Sequence, residues 1–500
     1  MSKNKSVFLI FSLLTLFACL PKNDADKNDK TNILFIAVDD LRPELGVYGN
    51  PIIKTPHMDQ LAGEGYLFTR HYVQVPTCGA SRYSLMTGLR PSKAIHLKNQ
   101  VFYEEMAPAP ESQKPESFVH HLKRNGYTTV GIGKLSHSVD GLVYGYNEIP
   151  SDVKEMPHSW DRFVFDPGMW KTGWNAFFAY ANGENRQSLK NLAKPYEIGE
   201  VDDDGYPDGL ILRSAIAELE KLKKNNQPFF LGVGFFKPHL PFNAPKKYWD
   251  RYQRENIPLP KDPFLPKNIN SKSLGSMGEF YNYKLSDEKP TYQKPVSDAY
   301  AQKLIHGYYA AVSYTDHLIG KLLSKLKSLE LDQNTIVVLW GDHGWHLGND
   351  RKWGKHTLFE TALKSVLMIK IPGKKNTSYP INTIVESVDI YPTLMELCRI
   401  APPYPLDGKS LVGLFDNPST QKNQRAYSYW NQGFTMRTDR YRITRHFWEG
   451  KHNIELYDHF KDPQENVNIV SDKPKIVDSL LPILMKGDPG FYTNKSENKS

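Results

Sequence analysis

Cys78-Gly79-Ala80-Ser81-Arg82 sets a thiol just ahead of a guanidinium, with only small residues between them, and Tyr83-Ser84-Leu85-Met86-Thr87-Gly88-Leu89-Arg90-Pro91 follows. By itself such a Cys reads as a buried structural thiol. Beside Gly, Ser and Arg it could instead be a nucleophile held near a fixed positive charge. Asp39-Asp40 and Asp342-His343 offer a second chemistry. Carboxylates gathered at one point repel unless a cation neutralises them, and donors rich in oxygen suit Ca2+ or Mg2+ better than zinc. An Asp pair taken alone is as readily a helix cap or a solvated turn. Lys134 and His137 in Gly133-Lys134-Leu135-Ser136-His137, and His239 in Lys237-Pro238-His239, are basic groups that could meet an anion.

The pattern preceding each segment says what could bring them together. Asn32 to Val38 is apolar and ends in Asp39-Asp40; Thr128 to Ile132 runs into Gly133-Lys134. Pro228 to Phe236 ends in Lys237-Pro238-His239, and Thr335 to Trp340 in Asp342-His343. Continuous rather than alternating hydrophobicity is what a strand buried on both faces requires, so these read as parallel strands of a sheet covered by helices. Ligands of open α/β sheets bind beyond the carboxyl ends of the strands, which puts all four polar ends on one rim.

Helical patterns fall between the strands. Thr55-Pro56 supplies an N-cap and a first-turn proline before Met58 and Leu61, with Gly65 beyond the end. Pro115 to Asn125 carries Phe118, Val119 and Leu122 on one face; Leu304 to Leu329 carries Val312, Ile319, Leu322, Leu323 and Leu326. Ile390, Leu394 and Leu397 share a helical face with Cys398, which reads as a small buried hydrophobe. After the Pro-rich loop Ala401 to Pro405, the stretches Arg425 to Trp430, Phe434 to Arg437 and Tyr441 to Arg445 alternate as a small antiparallel sheet does. Glu104 to Lys114 and Ile257 to Lys294 read as long loops that shape a pocket. The expected organisation is a catalytic domain over 32–415 and an α+β subdomain over 416–492.

With 40% hydrophobic and 24% charged residues the composition is that of a globular protein, and a net charge of +8 with no Lys/Arg tract gives no sign of nucleic-acid binding. Lys3 and Lys5 precede an apolar run from Val7 to Phe17 and then Ala18-Cys19. That layout is a lipoprotein signal peptide over 1–18, with Cys19 as the lipidated residue and 19–31 as a tether; a plain secretory signal is the alternative. The run is shorter than the ~20 residues of a membrane-crossing helix. The expected location is a bacterial periplasm or cell surface, with the membrane touched only through the lipid. Cys19, Cys78 and Cys398 are too few for a disulfide framework.

The run from Cys78 to Pro91 resembles the signature of the formylglycine-dependent sulfatases. The resemblance extends from the Asn32 strand to Tyr457-Asp458 and is nearest the iduronate-2-sulfatase-like branch, through Asp39-Asp40-Leu41-Arg42-Pro43, Phe236-Lys237-Pro238-His239 and Met436-Arg437-Thr438-Asp439-Arg440-Tyr441-Arg442. It implies an alkaline-phosphatase-like, mostly parallel sheet between helices. It also implies oxidation of Cys78 to formylglycine by a maturation enzyme, with Ala80 standing where many members have Pro. One Ca2+ would be held by Asp39, Asp40, Asp342, His343 and the residue at 78. Arg82 and His137 would orient the formylglycine, Lys134 and Lys355 would hold sulfate oxygens, and His239 would protonate the leaving alcohol. The implied substrate is a sulfated glycan, with a 2-O-sulfated uronate as one candidate sugar. Trp345 reads equally as a wall for that sugar or as core. The rival readings are a two-metal phosphatase or phosphodiesterase of the same superfamily, and a glycan-binding surface lipoprotein whose Cys78 is never matured.

Overall fold

The computed structural model describes residues 30–106, 115–374, 380–417, 424–448 and 451–492. The expected signal peptide, Cys19, most of the tether and residues 107–114 of the first long loop lie outside them.

Seven strands form the central sheet: β1 (Asn32–Val38), β2 (Tyr66–Leu67), β3 (Thr128–Gly133), β4 (Arg162–Val164), β5 (Phe229–Phe235), β6 (Thr335–Gly341) and β7 (Leu367–Lys370), in the order β2-β7-β6-β1-β5-β3-β4. β6, β1, β5, β3 and β4 are parallel; β7 runs against both β6 and β2. The continuous apolar runs of the sequence are the central strands. β1 is buried along its whole length, and its side chains divide by parity as the pleat requires. Leu34, Ile36 and Val38 join one core cluster, while Ile33, Phe35 and Ala37 join the other.

Helices cover both faces. α1 (Pro56–Glu64), α4 (Pro207–Asn225) and α5 (Asp298–Ser328) contribute Met58, Leu219 and Leu318 to the first cluster. α2 (Cys78–Thr87), α3 (Phe118–Arg124) and α6 (Ile390–Leu397) contribute Leu85, Phe118 and Leu394 to the second. α3 starts later than Pro115 because Ser117 is its cap, accepting from the His120 N–H. α5 starts earlier than Leu304 for the same reason: Ser297 accepts from the Tyr300 N–H. Cys398 follows α6 as its C-cap and packs against the second cluster, partly rather than fully buried.

The later antiparallel sheet has four strands rather than the three anticipated: β8 (Ala426–Trp430), β9 (Gly433–Arg437), β10 (Tyr441–Trp448) and β11 (Lys451–Asp458). Packed on it is α7 (Pro474–Leu484), with Val477 and Leu484 buried.

Register decides where the chemistry meets. Val38 lies level with Phe235 on one side and Gly341 on the other, and Gly133 lies level with Gly234. Asp39, Lys134, Phe236 and Asp342 therefore leave the sheet along one edge. The Asp39 N–H donates to the Phe235 carbonyl at 3.2 Å, that of Lys134 to Gly234 at 3.0 Å, and that of Asp342 to Val38 at 3.3 Å.

Candidate active site

Cys78 is the first residue of α2, a helix buried at every position. The helix N-terminus meets the strand ends because Ser81 donates its hydroxyl to the Asp342 carbonyl at 2.5 Å, and Asn99 Oδ1 accepts the Gly79 N–H at 2.9 Å. Gly79 has no room for a side chain: a Cβ there would stand 2.6 Å from the Asn99 carbonyl oxygen. Four groups from three other segments surround the thiol. Asp39 Oδ1 accepts from Sγ at 3.4 Å, His343 Nε2 is 3.4 Å away, and Lys355 Nζ donates to Sγ at 3.3 Å and to Asp40 Oδ1 at 2.9 Å. Burial first, and then Asp39, pushes the thiol up to about 12, so it is protonated at neutral pH.

Cations hold the carboxylates apart. Lys134 donates to Asp39 Oδ2, with its ammonium 3.9 Å from the centre of the Phe177 ring. Arg82 places Nε 3.0 Å and Nη2 2.9 Å from Asp342 Oδ2 and turns Nη1 onto the Lys134 carbonyl. His343 Nδ1 is 3.2 Å from Asp40 Oδ1. Burial pushes Asp39 up, but Lys134, His239, Arg82 and Lys355 outweigh it and hold the group well below the usual carboxylate range. Asp40 goes the other way: burial, with Asp39 adding repulsion, exceeds the pull of Lys355 and His343. Its Oδ2 is buried and lacks a hydrogen-bond partner among the described residues. Asp39, Asp40, Cys78 and His343 offer ligand atoms that all lie within 4.8 Å of one another. An orphaned carboxylate oxygen among crowded acids fits a hard divalent cation.

His239 reaches the same bowl from the end of β5. Its Nδ1 faces the Leu240 carbonyl at 2.6 Å, so that nitrogen carries a proton and Nε2 is the one presented to the site. The loop is pinned by Lys237, whose buried ammonium donates to the carbonyls of His239 at 3.1 Å and Pro241 at 2.7 Å. His239 Nε2 lies 2.6 Å from Glu279 Oε1, and Glu279 Oε2 lies 3.3 Å from Lys355 Nζ. Burial lowers His239 to about 4 against the opposing pull of Glu279.

Cys78, Arg82, Lys134, His239, His343, Lys355 and the three aspartates thus meet in one place. His137 stands at the margin, its ring 5.2 Å from Trp174; burial, then Lys134, holds it well below its ordinary value. Trp345 is core: it is 0% exposed, its ring lies 6.4 Å from Phe242, and Lys355 stands 5.2 Å above it. Glu279 was missed by the sequence reading. The loop Ile257 to Lys294 was marked as pocket-forming, but one acid among its Lys, Ser and Tyr residues carries no spacing signal.

Residues 31–400 match the family model for sulfatases, and residues 341–484 match that for the N-sulphoglucosamine sulphohydrolase C-terminal region. The chain belongs to the sulfatase family. It is a sulfuric ester hydrolase. Iduronate 2-sulfatase of Homo sapiens is 30% identical to this sulfatase, over 87% of this chain and 88% of that one. A sulfatase of Formosa agariphila is 32% identical, over 91% and 87%. Among solved structures, BT4656 in complex with its substrate D-glucosamine-2-N,6-O-disulfate has a TM-score of 0.70 at 20% identity, over 94% of this chain and 100% of that one. The architecture is the expected alkaline-phosphatase-like one, with a mostly parallel sheet between helices and a small antiparallel sheet behind it.

Proposed function

We propose that this sulfatase removes sulfate from a sulfated polysaccharide or its oligosaccharides. It uses formylglycine made from Cys78 and one Ca2+ held by Asp39, Asp40, Asp342, His343 and the residue at 78. The observation that carries this reading is the placement of Cys78 Sγ among Asp39, His343 and Lys355, at the N-terminus of a ten-residue helix. The partial positive charge of a helix N-terminus favours an anion, and the neighbouring acids need a counter-charge that a cation supplies. A hydrated aldehyde at 78 provides two hydroxyls, one to attack sulfur and one whose deprotonation restores the aldehyde and expels sulfate.

The remaining groups divide the work by position. Lys134 and Lys355 hold sulfuryl oxygens, and such preorganised charge contributes several kcal/mol to a reaction in which charge spreads outwards from sulfur. Arg82 fixes Asp342 and the Lys134 backbone, and His137 lies beyond Lys134 to orient the formylglycine. His239, protonated on both ring nitrogens once the anionic substrate sits beside it, delivers the Nε2 proton to the bridging oxygen as the S–O bond breaks, while its Nδ1 proton stays on the Leu240 carbonyl. Similarity to iduronate 2-sulfatase supports a glycan substrate and puts a 2-O-sulfated uronate first among the sugars.

Intact-mass analysis of active protein tests the reading. Conversion of the thiol to an aldehyde removes roughly 18 Da at residue 78, and Cys78→Ala is expected to abolish turnover with the fold intact. Full activity in Cys78→Ala, or a matched phosphate ester cleaved faster than the sulfate ester, would sink it. The proposed location is outside the cytoplasm, with Cys19 carrying a lipid; membrane-fraction recovery that is the same in Cys19→Ala would remove the anchor.

A further inference from the structure

Arg186 stands at the mouth of the site with its charge unanswered. Its Cζ lies 3.4 Å from the centre of the Phe178 ring, 5.6 Å from that of Tyr146 and 5.8 Å from that of Tyr283. These rings are continuous with the catalytic groups. Phe178 lies 6.2 Å from the His239 ring, while Tyr146 packs 4.7 Å from Trp174, which in turn covers His137. Tyr146 is 42% exposed, so the cluster opens to solvent. No carboxylate among the described residues forms an ion pair with Arg186. Glu279, the acid of the bowl that also lies near Tyr283, is engaged by His239 and Lys355.

A guanidinium stacked on an aromatic face keeps its N–H edge clear of the ring; the Tyr283 hydroxyl takes one N–H of Arg186, and the rest of the edge matches a planar pair of oxygens. The aromatic packing fixes the head group in advance, so little side-chain entropy is lost when an oxyanion arrives. We infer that Arg186 binds a second anionic group of the substrate, a carboxylate or a further sulfate on the sugar that bears the scissile ester or on its neighbour. This rests on the sulfate-ester reading above and adds to it a requirement for two negative groups. Lys134, Lys355 and His239 receive the first; Arg186 receives the second.

The test uses the full chain with residue 78 shown by mass to be converted. Three disaccharides are compared: one with a single sulfate and no other charge, one with that sulfate and a uronate carboxylate, and one with two sulfates. Arg186→Gln is expected to lower kcat/KM for at least one doubly charged sugar, relative to the singly charged one, by about 10- to 100-fold, mainly through KM. Arg186→Lys is expected to recover only part of the loss, because an ammonium lacks the fork. The doubly charged sugar that responds identifies the second group as carboxylate or sulfate. An equal loss on all three sugars would make Arg186 structural and overturn the inference, as would no change in the ratios. Wild-type protein that cleaves no sulfate ester would overturn the parent reading, and this inference with it.

Discussion

The backbone N–H of Asp40 donates to Asp342 Oδ1 at 3.0 Å, joining two strand ends that are 302 residues apart in sequence. The bond forms because Asp40 turns into the left-handed region, at φ 59°, as soon as β1 ends, and the Tyr308 hydroxyl holds its carbonyl at 2.8 Å. Asp tolerates that conformation where a β-branched residue would not. The turn leaves the Asp40 side chain facing Asp39, His343 and Lys355 inside a water-poor bowl.

That arrangement predicts opposite effects of one substitution with and without metal. Asp40→Asn removes a buried charge that Asp39 repels, so the variant is expected to match or exceed the wild-type Tm in chelator. Added Ca2+ is expected to raise the wild-type Tm, since an ion at a hundred times its Kd stabilises by about 2.7 kcal/mol, and to raise that of Asp40→Asn much less. Equal Ca2+-dependent shifts in thermal unfolding would place the ion elsewhere.

Arg82 is not replaceable by Lys. Its guanidinium uses Nε and Nη2 on Asp342 and Nη1 on the Lys134 carbonyl, and both Arg82 and Asp342 are 0% exposed as side chains. An ammonium can occupy one of those positions and leaves the others without a donor. Arg82→Lys is expected to cost about 3 kcal/mol in urea unfolding, within the range for breaking a buried pair, and to lose turnover as well. A loss below about 1 kcal/mol would show that the bowl relaxes around a smaller cation.

Much of this site was legible because each functional group sits at the end of a strand whose burial on both faces leaves an unbroken apolar run. Asp39, Lys134, His239 and Asp342 all follow such runs, and parallel pairing does the rest. What escaped notice was fixed by tertiary contacts. Glu279 comes from a loop without periodicity, and Arg186 from a four-residue helix. β11 was missed because its first three residues, Lys451-His452-Asn453, are all polar and leave only a short apolar signal; its Glu455 is buried and satisfied by the Ser273 hydroxyl from the distant loop. Trp345 follows the metal pair in sequence and is wholly buried, with Phe242 against it and the Lys355 ammonium over its ring.

His239 presents Nε2 to the site while its Nδ1 proton is committed to a carbonyl, so when the imidazolium forms only the Nε2 proton is free to leave. His239→Gln is expected to slow alkyl and sugar sulfates by roughly 100-fold or more and activated aryl sulfates far less, because a phenolate needs no proton to depart. Plotting log kcat/KM against leaving-group pKa checks this, with a steeper slope expected for the variant. Parallel lines for the two proteins would take the acid role from His239.

Acid stability depends on a histidine away from the bowl. The Trp340 indole N–H donates to Ser387 Oγ at 3.0 Å; that hydroxyl lies 2.8 Å from His71 Nε2, and His71 Nδ1 lies 3.3 Å from the Ser365 carbonyl. The carbonyl requires a proton on Nδ1, so Nε2 is the acceptor and the ring is neutral. Burial lowers it to about 3. The unfolded chain takes up this proton as pH falls through about 6.5, whereas the folded one does so only near 3, so stability present above 6.5 is lost between those values. From pH 7 to pH 4 the loss from this one ring is about 3 kcal/mol. His71→Asn is expected to be less stable at pH 7, for want of one hydrogen bond, but to lose about 3 kcal/mol less than wild type on going to pH 4. Urea midpoints at the two pH values decide it, and an identical fall in both proteins would assign the acid sensitivity to other groups.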